Sequence, residues 1–185
     1  KWEGVNVDLE KADAIKKNLI IREKKILKGI KDKTGIDVDI WAAVSVAKVF
    51  DKLKIPYERT LKSGQPKFDK NFLITHKNPT ARMVATAREI NKARTTFIDT
   101  ILTHSVDSKI HAEIHQMRSD EGGTVTGRFS YSNPNLQQVP SRNKELGPLI
   151  RSIFIPKKGC KWGSFDYSQQ EPRVLVHFAS LTGGG

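Results

Sequence analysis

Apolar residues in the first third of the chain recur at helical spacing. Leu9, Ala12, Ile15, Leu19, Ile26 and Ile30 stand three, four or seven positions apart, with lysines filling the opposite face, which predicts one long amphipathic helix. Asp8 offers a side-chain cap at its start, and Gly35 a left-handed stop at its end. A second helix is predicted from about Ile40 to Lys54, capped by Asp39 and ended ahead of Pro56, because the residue before a proline avoids helical angles. Tyr57 to Lys70, with Gly64 and Pro66, reads as a loop. Asn78-Pro79 places a cap and a first-turn proline at the head of a third helix, which runs through Met83, Ile90, Phe97 and Ile101 to about His104.

After Ser105 the period changes to two. Lys109 to His115 alternates, with Ile110, Ala112 and Ile114 on one face and His111 and His115 on the other. On a strand those histidines lie ~13 Å apart, too far to share a metal ion, so both are expected at the surface. Ser119 to Arg142 is a polar stretch with Gly122, Gly123, Gly127, Pro134 and Pro140, and long loops of this kind are usually functional or disordered. Ile150 to Pro156 and Lys161 to Tyr167 predict two strands about a turn at Lys158-Gly159, the second carrying Asp166 at its C-terminal end. A helix is predicted from Arg173 to Leu181, and Gly183-Gly184-Gly185 reads as a cut or an unfinished loop. The sum is an α+β chain, with a helical arm over residues 1–105 and an antiparallel sheet domain over 106–185.

Charge narrows the class of partner. The 185 residues carry 32 Lys+Arg against 20 Asp+Glu, a formal net charge of +12. Such an excess predicts either a cationic face that displaces counterions from a nucleic acid or a plain solvated lysine surface. No apolar run is long enough for a bilayer, Lys1-Trp2-Glu3-Gly4 lacks the layout of a secretion signal, and the one cysteine, Cys160, has no intrachain partner. Trp2, Trp41 and Trp162 are expected to pack, with base stacking by one of them the lesser alternative.

Three blocks decide between the readings of the charge. Thr126-Gly127-Arg128-Phe129-Ser130, then Asn133-Pro134-Asn135-Leu136-Gln137-Gln138-Val139-Pro140-Ser141-Arg142, then Asp166-Tyr167-Ser168-Gln169-Gln170-Glu171-Pro172-Arg173 resemble, in order and spacing, the blocks T-G-R-L-S-S, N-L-Q-N-I-P-x-R and D-Y-S-Q-I-E-L-R of the family A DNA polymerases. Gly4 to Asp8 is similar to the entry into that family's thumb, and Lys92 to Asp99 to its K-x-K-S-T-Y-I-D helix. The resemblance implies a thumb over residues 1–105 and the first part of a palm over 106–185, from a template-directed DNA polymerase of bacterial or phage type. It also implies primer-template DNA and dNTPs as partners and the cytoplasm of a bacterium or infected host as the compartment.

The same resemblance assigns roles. Asp166 and the Tyr167 carbonyl would bind Mg²⁺, of which the complete enzyme holds two ions about 3.5–4 Å apart. Glu171 would close the space beside the sugar C2′ and so exclude ribonucleotides. The residue-level alternative for it is a capping box, Ser168-x-x-Glu171, with Ser168 as helix cap. Tyr167, Ser168, Gln169, Gln170 and Glu171 would line the nucleotide site. Gln170 and Pro172 stand where the family has Ile and Leu, and Pro172 suits the first position of a slightly later helix.

Arg128 would reach purine N3 and pyrimidine O2 in the minor groove, and Asn135, Gln137 and Gln138 would add amide contacts beside it. Arg142 would hold a phosphate. The plain alternative for the amides, Asn133 included, is turn formation. Arg94, Thr95 and Thr96 resemble backbone-contacting residues of the thumb, with a solvated helix face as the alternative. Arg173 and His177 read as structural partners in the palm helix. Nothing matches the family's fingers helix or its second palm carboxylate, so these residues alone are expected not to polymerise. Two other readings remain: a module that only binds primer-template, and a single-subunit RNA polymerase, against which Glu171 counts.

Overall fold

The computed structural model describes residues 3–119, 122–140 and 143–183. The chain packs as two compact units, residues 1–155 and 156–185, and each is taken by itself. The boundary expected near residue 105 falls within the first unit.

A short strand, β1 (Val5–Asn6), leads into α1 (Leu9–Thr34). Asp8 caps α1 as the sequence implies, its carboxylate accepting the Lys11 N–H at 2.9 Å. Gly35 ends it at φ 73°, its N–H donating to the Lys31 carbonyl. Ala12, Ile15, Leu19 and Ile30 are buried, so the lysine-rich face is the solvent face. α1 lines two apolar clusters. Its first half meets Ile90, Ile98, Ile101, Ile110, Ile150 and Ile153, while Ile30 meets Val46, Val49, Phe50, Phe68, Leu73 and Val84. Each such burial stabilises the fold by about 1.5–3 kcal/mol.

The second helix starts later than expected. α2 spans Ala43–Lys52 without a side-chain cap. The Asp39 carboxylate instead accepts the N–H groups of Trp41 and Ala42, and its own N–H donates to Ser45 Oγ, a local turn that uses up the capping oxygen. Tyr57 to Lys70 is not an open loop. β2 (Glu58–Arg59) pairs antiparallel with β3 (Pro66–Lys67), and the turn between them is held by Thr60, whose N–H and carbonyl bond Gln65 and Gly64. A helix absent from the sequence expectation follows, α3 (Lys70–Thr75), capped by Asp69 onto the Phe72 N–H at 2.8 Å.

Asn78 and Pro79 open α4 (Pro79–Lys92) as expected, Asn78 Oδ1 accepting the Thr80 N–H at 2.8 Å. The expected single helix to His104 is interrupted by a π-helical turn, Ala93–Ile98, before α5 (Asp99–His104). Thr95 and Thr96 form the middle of that turn, and β-branched residues hold an α-helix weakly.

The alternating segment is two strands, not one. β4 (Ser105–Val106) and β1 both pair antiparallel with β5 (Lys109–Ile110), whereas β6 (Glu113–His115) pairs with β7 (Ser130–Ser132) in another sheet, Ile114 opposite Tyr131. At Gly4 (φ 63°) an added Cβ would lie 2.7 Å from His111 Cε1, so glycine is what lets β1 approach the break between them. His111 is exposed as expected, but His115 is half-buried and bonded.

The strand expected over Ile150 to Pro156 does not form: Ile150 and Arg151 end a helix, α6 (Leu146–Arg151), and a turn follows. Asn143 Oδ1 accepts the N–H groups of Glu145 and Leu146 at its start, and the buried positions Leu146, Ile150 and Ile153 have helical spacing, a signal hidden under β-branched composition. Only Phe154 forms a bridge, to Val7. In the second unit Lys161 to Tyr167 has no ladder partner among the described residues, and without one a strand has no hydrogen bonds. α7 runs over Gln170–Leu181, three residues earlier than expected.

Candidate nucleic-acid interface

The polar loop is built on the β6–β7 pair. Ser132 Oγ donates to Glu113 Oε2 at 2.9 Å and lies 2.7 Å from His115 Nε2, and Asn133 Nδ2 donates to the same Glu113 oxygen at 3.0 Å. The chain then turns through the cis Asn133–Pro134 bond into a 3-10 turn, Leu136–Gln138. Asn135 caps that turn, its Oδ1 accepting the Gln137 N–H at 3.1 Å, and Gln137 Nε2 donates to the Phe129 carbonyl at 2.9 Å. Three of the amides therefore hold the loop's own shape, Asn135 by a local turn and Asn133 and Gln137 by bonds to residues outside it. Gln138 is exposed. Arg128 is exposed beside Gly127, whose φ of 74° suits glycine, and its carbonyl accepts from Thr124 Oγ1 at 2.7 Å. Arg142 lies outside the described residues.

The loop packs its 3-10 turn towards the π-helical turn. Thr96, Thr100 and Ile101 from the helix line a groove of about 200 Å³ with Asn135, Leu136 and Gln138 from the loop. Two segments far apart in sequence thus present one polar-rimmed, apolar-floored surface. Thr95, also exposed, bonds the Asn91 carbonyl of its own helix.

Arg94 is tied into a cluster of ion pairs. Its guanidinium lies 3.2 Å from Asp99 Oδ2 and 3.6 Å from Glu23 Oε2, and only 20% of its side chain is exposed. Asp99 also receives Lys16 Nζ at 2.7 Å, and Glu23 accepts from Asn91 Nδ2 at 2.7 Å. Arg94 is therefore an internal strut between α1 and the π turn, not a solvated helix-face residue. Glu23, Asn91, Lys16 and Asp99 escaped the sequence reading as partners. Glu23, an acid followed by two lysines in the middle of a basic helix, was the available signal.

In the second unit, Asp166, Tyr167, Ser168, Gln169, Gln170 and Glu171 are all exposed. Gln169 adopts φ 53° and begins α7 without a side-chain cap, so Ser168 is not the cap. Glu171 lies in the first helical turn, where the partial positive charge of the helix start favours a carboxylate. Pro172 is the third helical residue rather than the first, still within the turn whose N–H groups have no intrahelical acceptor. Among the described residues no group of three or more His, Cys, Asp and Glu side chains could hold a metal ion. No helix among the described residues is long and apolar enough to cross a membrane.

Comparison with known proteins gives these blocks their context. The sequence profile of DNA polymerase family A matches residues 9–182. A DNA-directed DNA polymerase of Pseudomonas phage M6 is 35% identical over 96% of this chain, and DNA polymerase I of Helicobacter pylori is 36% identical over 89%. The chain spans 28% and 17% of the length of those relatives. In fold it is similar to the POL domain of Pol1 from M. smegmatis, solved in complex with DNA primer-template and dNTP, at a TM-score of 0.77 and 24% identity over 96% of this chain and 31% of that one. With its profile matched almost from end to end, the chain belongs to DNA polymerase family A.

Proposed function

We propose that this chain is the primer-template-gripping part of a template-directed DNA polymerase that adds deoxynucleotides to a primer 3′ end. In this reading residues 1–105 act as the thumb and 106–185 as the first part of the palm, in the cytoplasm of a bacterium or phage-infected cell. The observation that carries it is the shared groove, in which Thr96 of the helical arm meets Asn135 and Gln138 of the polar loop. Arg128 is the minor-groove reader, donating to acceptors that every correctly formed base pair offers alike. Arg142 and Thr95 contribute contacts to the phosphate backbone.

Asp166 and the Tyr167 carbonyl are the donors the chain would offer to Mg²⁺, which in such enzymes activates the 3′ hydroxyl and neutralises triphosphate charge. Donors from Asp166 and one backbone carbonyl do not complete a two-ion site, so the 185 residues are proposed to bind primer-template without extending it. Ser168, Gln169 and Gln170 border the incoming nucleotide, and Glu171 excludes its 2′ hydroxyl.

The test is primer extension with dNTPs or rNTPs in Mg²⁺ by a longer polypeptide containing this chain. Asp166→Ala is expected to abolish extension, and Glu171→Ala to admit rNTPs. Extension that survives Asp166→Ala would remove the metal role. Duplex binding that is unchanged by Arg128→Ala would remove the grip.

A further inference from the structure

Trp41 is held in a way that a packing residue does not need. Its indole N–H donates to Asn91 Oδ1 at 3.0 Å, and the Arg88 guanidinium lies over its ring at 5.6 Å. Arg88 is itself fixed by donating to the carbonyls of Ile40 and Phe68 at 2.6 and 2.8 Å. Asn91 is fixed in turn by Glu23, the acid that also faces Arg94. Yet 55% of Trp41 is exposed. A core tryptophan buries its ring and gains from doing so. This one has its orientation set on two sides while much of its surface stays open to water.

Beside the ring is a cavity of about 240 Å³ whose lining includes Leu73, Ala85, Lys70, Glu89 and Lys92. That is below the roughly 300 Å³ at which sites for drug-sized ligands begin, and suits one planar heterocycle. Leu73 and Ala85 are buried and supply an apolar wall. Charge at the rim narrows the occupant further. Lys70 lies 2.9 Å from Glu89 and is neutralised by it, and Arg88 is turned onto carbonyls, which leaves exposed Lys92 as the rim cation without an ion-pair partner among the described residues. One available lysine matches the single charge of a phosphodiester, not the several charges of a free nucleoside triphosphate.

We propose that Trp41 is a stacking platform for an unpaired base of single-stranded DNA, with Lys92 on the adjacent phosphodiester. The site is distinct from the groove at Thr96 and stands whether or not the primer-template reading holds. Stacking on an aromatic face tolerates any base, so the site selects unpaired strand rather than sequence.

The experiment uses the chain carrying Trp2→Phe and Trp162→Phe, which leaves Trp41 as the sole indole emitter. Titration with oligo(dT) of about 12 nucleotides is expected to quench Trp41 emission saturably, and a blunt duplex of the same length, whose bases are already stacked, is expected not to. Lys92→Glu, a change at an exposed position that leaves the ring in place, is expected to weaken oligo(dT) binding at least about fivefold and to lower the salt slope by about one. Trp41→Ala in the otherwise unchanged chain is expected to weaken it at least about fivefold, read by anisotropy of a labelled oligonucleotide, with circular dichroism reporting the fold. The proposal is overturned if the oligonucleotide does not bind, if it binds while Trp41 emission stays constant, if the duplex quenches equally, or if Lys92→Glu changes nothing.

Discussion

Arg88 ties together three segments that are remote in sequence. From α4 it reaches the Ile40 carbonyl ahead of α2 and the Phe68 carbonyl ahead of α3, and it carries Trp41 on its guanidinium. Burial lowers its pKa from the usual value by disfavouring the charged form, but an arginine remains charged throughout the neutral range. Both carbonyls belong to buried residues, so removing the guanidinium leaves acceptors with no replacement donor but water. Hydrogen bonds from charged groups contribute about 1.5–3 kcal/mol each, and some water access reduces the sum. Arg88→Ala is therefore expected to lower unfolding stability by about 2–4 kcal/mol, measured by urea denaturation followed by circular dichroism. Arg88→Lys should lose most of the same stability, because one ammonium cannot span two carbonyls in the fixed fork of a guanidinium. A loss below about 0.5 kcal/mol, the level of an ordinary surface change, would show that the fork is ornamental.

The π-helical turn is the element whose side chains say why it exists. Arg94 and Asp99 are five residues apart and 3.2 Å in contact. In an α-helix it is the third and fourth residues on that face each other; a helix closed by i to i+5 bonds brings the fifth round instead. Lys16 and Glu23 of α1 hold the two ends of that pair, so the turn is clamped from outside. Arg94→Ala and Asp99→Ala should each destabilise the chain, and a double-mutant cycle should return a coupling of at least about 0.5 kcal/mol; strict additivity would mean that the pair does not act as a unit. Nothing in the sequence pattern distinguishes this turn from plain helix, since Ile90, Phe97 and Ile101 fit either winding. Helix starts were legible where a side chain had no competing bond, as at Asp8 and Asn78. They were misjudged where one did, as at Asp39. The strands failed for another reason: a ladder is a relation between two segments, and alternation over Lys109 to His115 could not reveal that the two halves take different partners.

Across the whole molecule, what was legible divides along the two compact units. In the first, blocks recognised separately come together at one groove, because hydrophobic burial along α1 and α4 and the bonds of Glu113 and Gln137 fix where the loop lies. In the second, the motif was readable but its geometry was not, because a carboxylate at the end of a strand needs the strand, and Lys161 to Tyr167 has no ladder among the described residues. The same unit carries α7 with Leu175, Phe178 and Leu181 each more than 60% exposed. A helix of 12 residues with no covered apolar face is marginal in water, since isolated helices shorter than about 12–15 residues barely pay for nucleation. Amides in the middle of α7 are therefore expected to exchange with solvent almost as fast as unstructured ones, while those around Leu19 in α1 and Val84 in α4, both fully buried, exchange only through large-scale opening. Hydrogen exchange read by mass spectrometry on the 185-residue chain separates these directly. Protection in α7 equal to that in α4 would mean that its apolar face is covered in solution, and adding primer-template DNA would then tell whether the covered face belongs to the grip, through protection that rises with the ligand, or to packing alone, through protection that does not.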